Sequence, residues 1–270
     1  MVGIDVTENF IHRLFSNSPF LERFSLSESY EIKKLEIVSA PNLNFLVLRM
    51  CHYLRHLEIS SAKNLNTMGI CDALSLKSIN ISFAPNLSHL ILGIQNKNFK
   101  FDPYLTLLDQ INKLTLQMLV STNRMSCPFP QFPQSMSKVE HLKLQMGLPC
   151  FQIPIHRLPG FFEAAPCSNT FSVEVGYSSF NHPANANALQ WLDKLIPDKV
   201  KDHPCQYLKV VKLETFAGGQ YEVDFVLHLL KYVSVGKIII QPMRLNVWND
   251  RTCWKYYNFD NIYEKFVVVL

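Results

Sequence analysis

Few side chains in this sequence are both reactive by type and spaced for chemistry. His52 and His56 lie four positions apart in "CHYLRHLEI", a spacing that holds a metal ion when both imidazoles leave one face of a helix. Here the surroundings read as a turn running into a strand, where the two rings diverge, so both are read as packed or solvated histidines. Seven cysteines stand at 51, 71, 127, 150, 167, 205 and 253. Their number is odd and no pair is spaced C-x-x-C, which argues against a disulfide framework or a zinc cage and for reduced thiols. Cys51 and Cys71 read as small buried fillers, since no neighbouring base would draw off a thiol proton. No G-x-S-x-G, P-loop or G-x-G-x-x-G segment occurs, and "GGQ" at Gly218 to Gln220 reads as a tight turn before a helix. The expectation is a chain that binds rather than catalyses, with no catalytic residue, metal or cofactor.

Composition narrows what it would bind. Of 270 residues, 48% are apolar and 18% charged, with a net charge of +4. Lys and Arg are spread rather than gathered in a stripe, which argues against a nucleic-acid partner. The opening "MVGIDVTENF" has neither a basic n-region nor an apolar core, so it is not read as a signal peptide. No apolar run reaches the length of a membrane span. A soluble protein of cytoplasm or nucleus is expected, in which the "NIS" at Asn80 and "NLS" at Asn86 never meet the glycosylation machinery. "PQFP" at Pro130 to Pro133 lacks flanking basic residues and reads as a loop rather than a polyproline ligand.

The elements that would position a binding surface are written in a repeat. "SAPNLNFLVLRMCHYLRHLEIS" (Ser39 to Ser60) is followed at once by "SAKNLNTMGICDALSLKSINIS" (Ser61 to Ser82), and the two align without a gap. Sets of the form L-x-x-L-x-L start at positions 21, 32, 43, 54, 65, 76 and 87, in equal steps of eleven. "APNL", "AKNL" and "APNL" begin at Ala40, Ala62 and Ala84, which doubles the full period to twenty-two. That period and set match leucine-rich repeats. The ninth position of each set holds Ser29, Ala40, Cys51, Ala62, Ala73, Ala84 and Gln95, so the buried Asn that usually serves backbone groups between coils is missing and its hydrogen bonds must come from elsewhere. Alternation within each set predicts two short strands per coil, with small residues, Pro and Asn at the turns. One coil buries little alone, and stacking joins the leucines into a continuous column.

The resulting fold class is α/β: a leucine-rich-repeat solenoid of 22-residue coils in residues 1–94, then longer strand–helix units in 95–202, then a closing segment in 203–270. Upstream, Phe10, Ile11, Leu14 and Phe15 form the apolar face of an initial helix, with Asp5 and Glu8 at capping-box spacing. Downstream, strands are expected at "INKLTLQM", "VEHLKLQM", "TFSVEV", "YLKVVKLETF" and "GKIIIQP". Helices are expected at "DPYLTLLDQ", "RLPGFFEAAP", "NALQWLDKLI" and "GGQYEVDFVLHLLKYV", and "CPFPQFPQ" is expected to be a proline-rich loop. The aromatic tail from Trp248, interleaved with Arg251 and Lys255, has the makings of a base-stacking surface. Its "FVVVL" ending favours a cap over the open apolar end of the array.

Outward strand positions divide into two sets. Lys34, Glu36, His56, Glu58, Ser78 and Asn80 are polar and suit solvent. Arg23, Ser25, Phe45, Val47, Thr67, Gly69, His89 and Ile91 include apolar groups that call for a cover. Phe45, Val47, Thr67, His89 and Ile91 are therefore the candidate partner-binding residues.

Two stretches also resemble a known family. "ENFIHRLFSNSPFLERFSL" is similar to the helix–strand unit of plant F-box proteins with leucine-rich repeats. "HPCQYLKVVKLETFAGGQYEVDFVLHLLKYVSVGKIII" (His203 to Ile240) resembles the FBD segment that follows those repeats, through Leu208, Lys209, Val211, Leu213, Phe216, Gly218, Glu222, Leu229 and Leu230. It departs from that pattern at Val235-Gly236, where Leu-Glu is usual. The resemblance implies a non-catalytic scaffold like the substrate-recognition arm of a cullin–RING (SCF-type) ubiquitin ligase, with an FBD-like cap in 203–270. The family's F-box, which docks on a Skp-type linker subunit, is absent from these residues, so that partner is not expected. The alternative is a truncated or decoy paralogue that occupies a target without recruiting a ligase.

Overall fold

The computed structural model describes residues 6–94, 99–118, 136–147, 164–176, 208–216, 236–242 and 266–269, with Pro133, Phe162 and Val226 as single positions. The chain forms two compact units, Met1–Gln117 and Met118–Leu270.

The first unit begins with helix α1 (Glu8–Asn17), capped by Thr7, whose side chain accepts from the Phe10 amide. The cap is Thr7 because its backbone is extended while Glu8 is already helical. Glu8 does not complete a capping box, since its carboxylate accepts from the Lys34 amide at 3.0 Å. Asp5 lies outside the described residues. Ile11 and Phe15 are buried, and Phe15 meets Phe24 edge to face at 5.1 Å. Phe10, expected on that face, is 47% exposed. The helix lies beside the first strand of the second sheet, which covers the start of the array, as terminal repeats must.

Seven strands then alternate between two sheets: β1 (Arg23–Ser27), β2 (Lys34–Ile37), β3 (Phe45–Arg49), β4 (His56–Ile59), β5 (Thr67–Cys71), β6 (Ser78–Ile81) and β7 (His89–Ile94). The odd strands pair in parallel, with Arg23, Phe45, Thr67 and His89 in one row. The even strands pair in parallel, with Lys34, His56 and Ser78 in one row. Each step in either sheet is one full period of the sequence repeat, so one coil gives one strand to each sheet. The inward positions of both sheets form one core. Leu35, Leu46, Leu57, Met68 and Leu90 are each at most 1% exposed.

Both edges of the coils turn by backbone chemistry. The Leu43 amide donates to Ala40 O, and the same bond links Leu54 to Cys51, Leu65 to Ala62, Leu76 to Ala73 and Leu87 to Ala84. The residue opening each of these turns is buried, which is why it is small. After β1, β3 and β5 the chain passes through the left-handed region at Glu28, Met50 and Asp72 (φ 57°, 50° and 61°). That bend lets the Glu28 amide reach Arg49 O and the Met50 amide reach Cys71 O in the next coil. The bonds that a buried Asn ladder would make are thus carried by main chain, with help from an exposed Asn ladder. Asn42 Nδ2 donates to Pro19 O, and Asn86 Nδ2 to Lys63 O, both at 2.8 Å.

β6 is the last strand of the second sheet. In the next coil its place falls to a 3-10 turn (Asp102–Tyr104) running into helix α2 (Leu105–Leu108), before β8 (Lys113–Met118). Pro103 stands in the first turn of that helical stretch, where its missing amide costs nothing. Tyr104 is buried and stacks on Phe99 at 5.6 Å.

The second unit holds β9 (His141–Gly147), β10 (Thr170–Gly176), β11 (Val210–Phe216), β12 (Lys237–Pro242) and β13 (Phe266–Val269). The first four are parallel, with His141, Thr170, Val210 and Lys237 in register. β13, within the "FVVVL" stretch, pairs antiparallel to β12. The strands expected from β8 to β12 stand where the alternation placed them. Of the expected helices, "NALQWLDKLI" lies outside the described residues, as does "GGQYEVDFVLHLLKYV" apart from Val226 and "RLPGFFEAAP" apart from Phe162, Ala164, Ala165 and Pro166. "CPFPQFPQ" apart from Pro133, and the tail before β13, also lie outside them.

Candidate protein-binding faces

The five candidate residues come together on the outward face of the first unit's larger sheet. Register sets them in rows across β1, β3, β5 and β7: Arg23, Phe45, Thr67, His89, then Ser25, Val47, Gly69, Ile91, then Ser27, Arg49, Cys71, Gly93. Phe45 is half-buried under the Arg23 guanidinium, 4.7 Å from its ring centre. Thr67, His89 and Ile91 are also half-buried, and His89 Nε2 lies 2.8 Å from Thr115 Oγ1. Val47 is only 5% exposed. It leans over Gly69, where an added Cβ would stand 2.9 Å from Val47 Cγ2. Val47 therefore belongs to the floor of the face rather than to its contact residues.

Gly93 permits a second close approach. A Cβ there would lie 2.7 Å from both Cα and Cβ of Cys71. Without it, Cys71 Sγ comes within 3.2 Å of Gln117 Oε1 on β8. Burial pushes the Cys71 thiol up to about 11. Cys51 is buried too, with its thiol raised by the same desolvation and its Sγ 3.4 Å from Arg49 O. The face thus sets half-buried Phe45, Thr67, His89 and Ile91 over a buried floor of Val47, Gly69, Cys71 and Gly93, with exposed Arg23, Arg49 and Lys113 at its rim.

The smaller sheet is polar outward. Glu36 and Glu58 are direct cross-strand partners, an arrangement that repels. Lys34 reaches both, at 3.2 and 2.8 Å, and the hydrogen bonds to Glu58 and then Glu36 hold its ammonium above the ordinary lysine range. The second unit repeats the device. Glu174 and Glu214 are cross-strand partners, and Lys143 pairs with both. Gln145 Nε2 also donates to Glu174 at 2.7 Å. Burial alone would raise Glu174, yet Lys143 and Gln145 hold it below the usual carboxylate range. The alternation of "HLKLQM", "TFSVEV" and "VVKLETF" was the signal for this cluster, once the three strands are set in register.

His52 and His56 turn to different neighbours. His52 sits in a turn with its ring 6.2 Å from Tyr30, and His56 Nδ1 lies 2.9 Å from Ser78 Oγ. Among the described residues no three His, Cys, Asp or Glu side chains converge as a metal site. No helix among them is long and apolar enough to cross a membrane.

Comparison with known proteins agrees with the coil geometry. Residues 1–258 match the family model described as "At1g61320/AtMIF1, LRR domain". The chain belongs to this leucine-rich-repeat family. No curated protein and no solved structure gives a significant match. The family accounts for the repeated coils and the parallel sheets. Its description says nothing of an FBD segment, an F-box or a bound partner.

Proposed function

We propose that this leucine-rich-repeat protein is a non-catalytic scaffold that holds a protein target against the outward face of β1, β3, β5 and β7. The observation that carries this reading is that register brings half-buried Phe45, Thr67, His89 and Ile91 together on one outward face. Val47 and Cys71 fill the space over Gly69 and Gly93, so the strands pack closely and hold Phe45, Thr67, His89 and Ile91 over a buried floor. Apolar Phe45 and Ile91 beside Arg23 and His89 give the mixture of anchor and rim that protein interfaces use. The resemblance of His203 to Ile240 to an FBD segment supports the finer assignment, the target-holding arm of an SCF-type ligase. Such an arm would contribute position and selectivity, the transfer chemistry residing in other subunits.

The test is an affinity capture from extract with wild type and with Phe45→Asp and Ile91→Asp, probing for co-purified proteins, cullin and Skp-type subunits. Proteins retained by wild type and lost from both variants are expected, since a desolvated anchor is worth about 2 kcal/mol or more. Identical capture by all three chains would overturn the face assignment. Recovery of cullin and Skp-type subunits supports the ligase arm. Target capture without them assigns the decoy role instead.

A further inference from the structure

The repeat also stacks residues along the edge where the chain passes from the larger sheet to the smaller. Lys33, Arg55 and Lys77 occupy one column, since the Arg55 amide donates to Lys33 O and the Lys77 amide to Arg55 O, both at 2.8 Å. All three are exposed, and none has an ion-pair partner among the described residues. Three like charges on adjacent coils, about 4.8 Å apart by strand spacing, repel one another. Three positions before each cation stands Tyr30, His52 or Leu74, again one column. Tyr30 is 53% exposed, Tyr53 53%, Leu74 58% and the neighbouring Met50 40%. Four of the nine large apolar side chains exposed among the described residues thus share one edge with a basic column. The acids near that edge are few. Glu31 is exposed in the first turn, Glu8 accepts from the Lys34 amide beside Lys33, Glu28 is half-buried, Asp72 is buried, and Glu36 and Glu58 are engaged by Lys34.

We propose that this edge docks an extended acidic peptide segment of a partner protein, its carboxylates on Lys33, Arg55 and Lys77 and its apolar side chains on Tyr30, Tyr53 and Leu74. The surface is distinct from the sheet face assigned above and does not depend on it. Charge complementarity selects an acidic partner, and the alternation of apolar and cationic columns across each turn matches a chain whose apolar and acidic side chains also alternate. A nucleic acid fits less well. Three cations neutralise about three phosphates, which leaves weak binding that moderate salt removes. The rings of Tyr30 and His52 already contact each other, tilted by 40°, which leaves no slot for a base between them.

The test is fluorescence anisotropy of the full chain with a labelled peptide of alternating Glu and Leu. The comparison probes are a Lys/Leu peptide and a single-stranded oligonucleotide of matching charge. Saturable binding of the Glu/Leu peptide is expected, weakened about tenfold in K33S/R55S/K77S, as the loss of three exposed ion pairs implies. Y30S/L74S should weaken binding separately, whereas F45D should leave it unchanged. Lys33, Arg55, Lys77, Tyr30 and Leu74 are exposed and Phe45 is half-buried, and far-UV circular dichroism checks that each variant folds. The inference is overturned if the Glu/Leu peptide does not saturate. It is also overturned if the triple variant binds that peptide like wild type, if F45D abolishes binding, or if the oligonucleotide is the tighter ligand. Failure with F45D inert refutes the edge alone and leaves the sheet-face proposal standing on its own captures.

Discussion

Gly69 and Gly93 stand on neighbouring strands of one sheet, yet alanine should act on them differently. Replacing glycine where the backbone tolerates a side chain gains about 0.4–1 kcal/mol by restricting the unfolded chain. At Gly69 that gain opposes a contact of 2.9 Å with Val47 Cγ2, the other Val47 atoms being 3.6 Å away. Valine is stiff about χ1, and turning it off its rotamer costs about 0.5–1.5 kcal/mol, so Gly69→Ala should fall within about 1 kcal/mol of wild type. Adding Val47→Ala removes the obstructing methyl, and the pair should show a favourable coupling of about 0.5 kcal/mol or more. At Gly93 the new Cβ would meet Cys71 Cα and Cβ, each at 2.7 Å. Backbone cannot rotate away, so β5 and β7 must separate, at a cost of about 3 kcal/mol. Cys71→Gly should not rescue it, since the Cα remains. Urea unfolding followed by far-UV circular dichroism measures both cycles, and hydrogen exchange in peptides covering β5 and β7 localises the loss. A Gly93→Ala chain as stable as Gly69→Ala, or one fully restored by Cys71→Gly, would refute the close packing of these strands.

Other expectations follow from the same coils and from the second unit. Ser29 Oγ is buried with no hydrogen-bond partner among the described residues, at a position where the next two coils carry Cys51 and Ala73. Ser29→Ala should therefore raise stability by about 1 kcal/mol in the same urea assay. With its thiol held near 11, native Cys71 should be only about one-thousandth thiolate at pH 8. Peptide mapping after alkylation should find exposed Cys167 labelled well before Cys51 and Cys71. Glu174 has a depressed pKa, so its contribution is present above the unfolded value and is lost as pH falls through the folded one. Urea midpoints measured from pH 6 down to about pH 3 should decline less steeply in Glu174→Gln.

The repeat was readable because one count reports two pairings. Sets half a period apart alternate between sheets, so Leu46 and Leu57 disclosed both strands of one coil before any pairing was known. The strand alternation of β8 to β12 was legible for the same reason. Other features depended on what periodicity does not encode. Thr7 became the helix cap through its own backbone conformation, while Glu8, at the right spacing for a box, was drawn to the Lys34 amide by the packing of α1. Val47 sits outward by parity but is buried because the next coil offers Gly69, a relation visible only after register is known. The backbone bonds of the missing Asn ladder fell to left-handed Glu28 and Met50, which no glycine marked. The column of Lys33, Arg55 and Lys77 was open to counting by whole periods, yet it lies outside the L-x-x-L-x-L sets and so escaped a reading built on leucines.

The constant step has a consequence for how such a chain changes length. Both sheets advance by the same full period, and the turns at Ala40, Ala62 and Ala84 close through the same bond. Excising positions 40–61 would bring Ala62 to the place of Ala40, with every later strand moved up by one coil. Each inward apolar side chain would then meet another apolar one, as Leu46 gives way to Met68 and Leu57 to Ile79, since contacts in such an array reach only adjacent coils. Duplication works equally well in reverse. A gene for this fold can gain or lose a coil in one event and still encode a packed protein. Its length can therefore drift, whereas the identities of residues such as Gly93, matched to one particular neighbour, cannot.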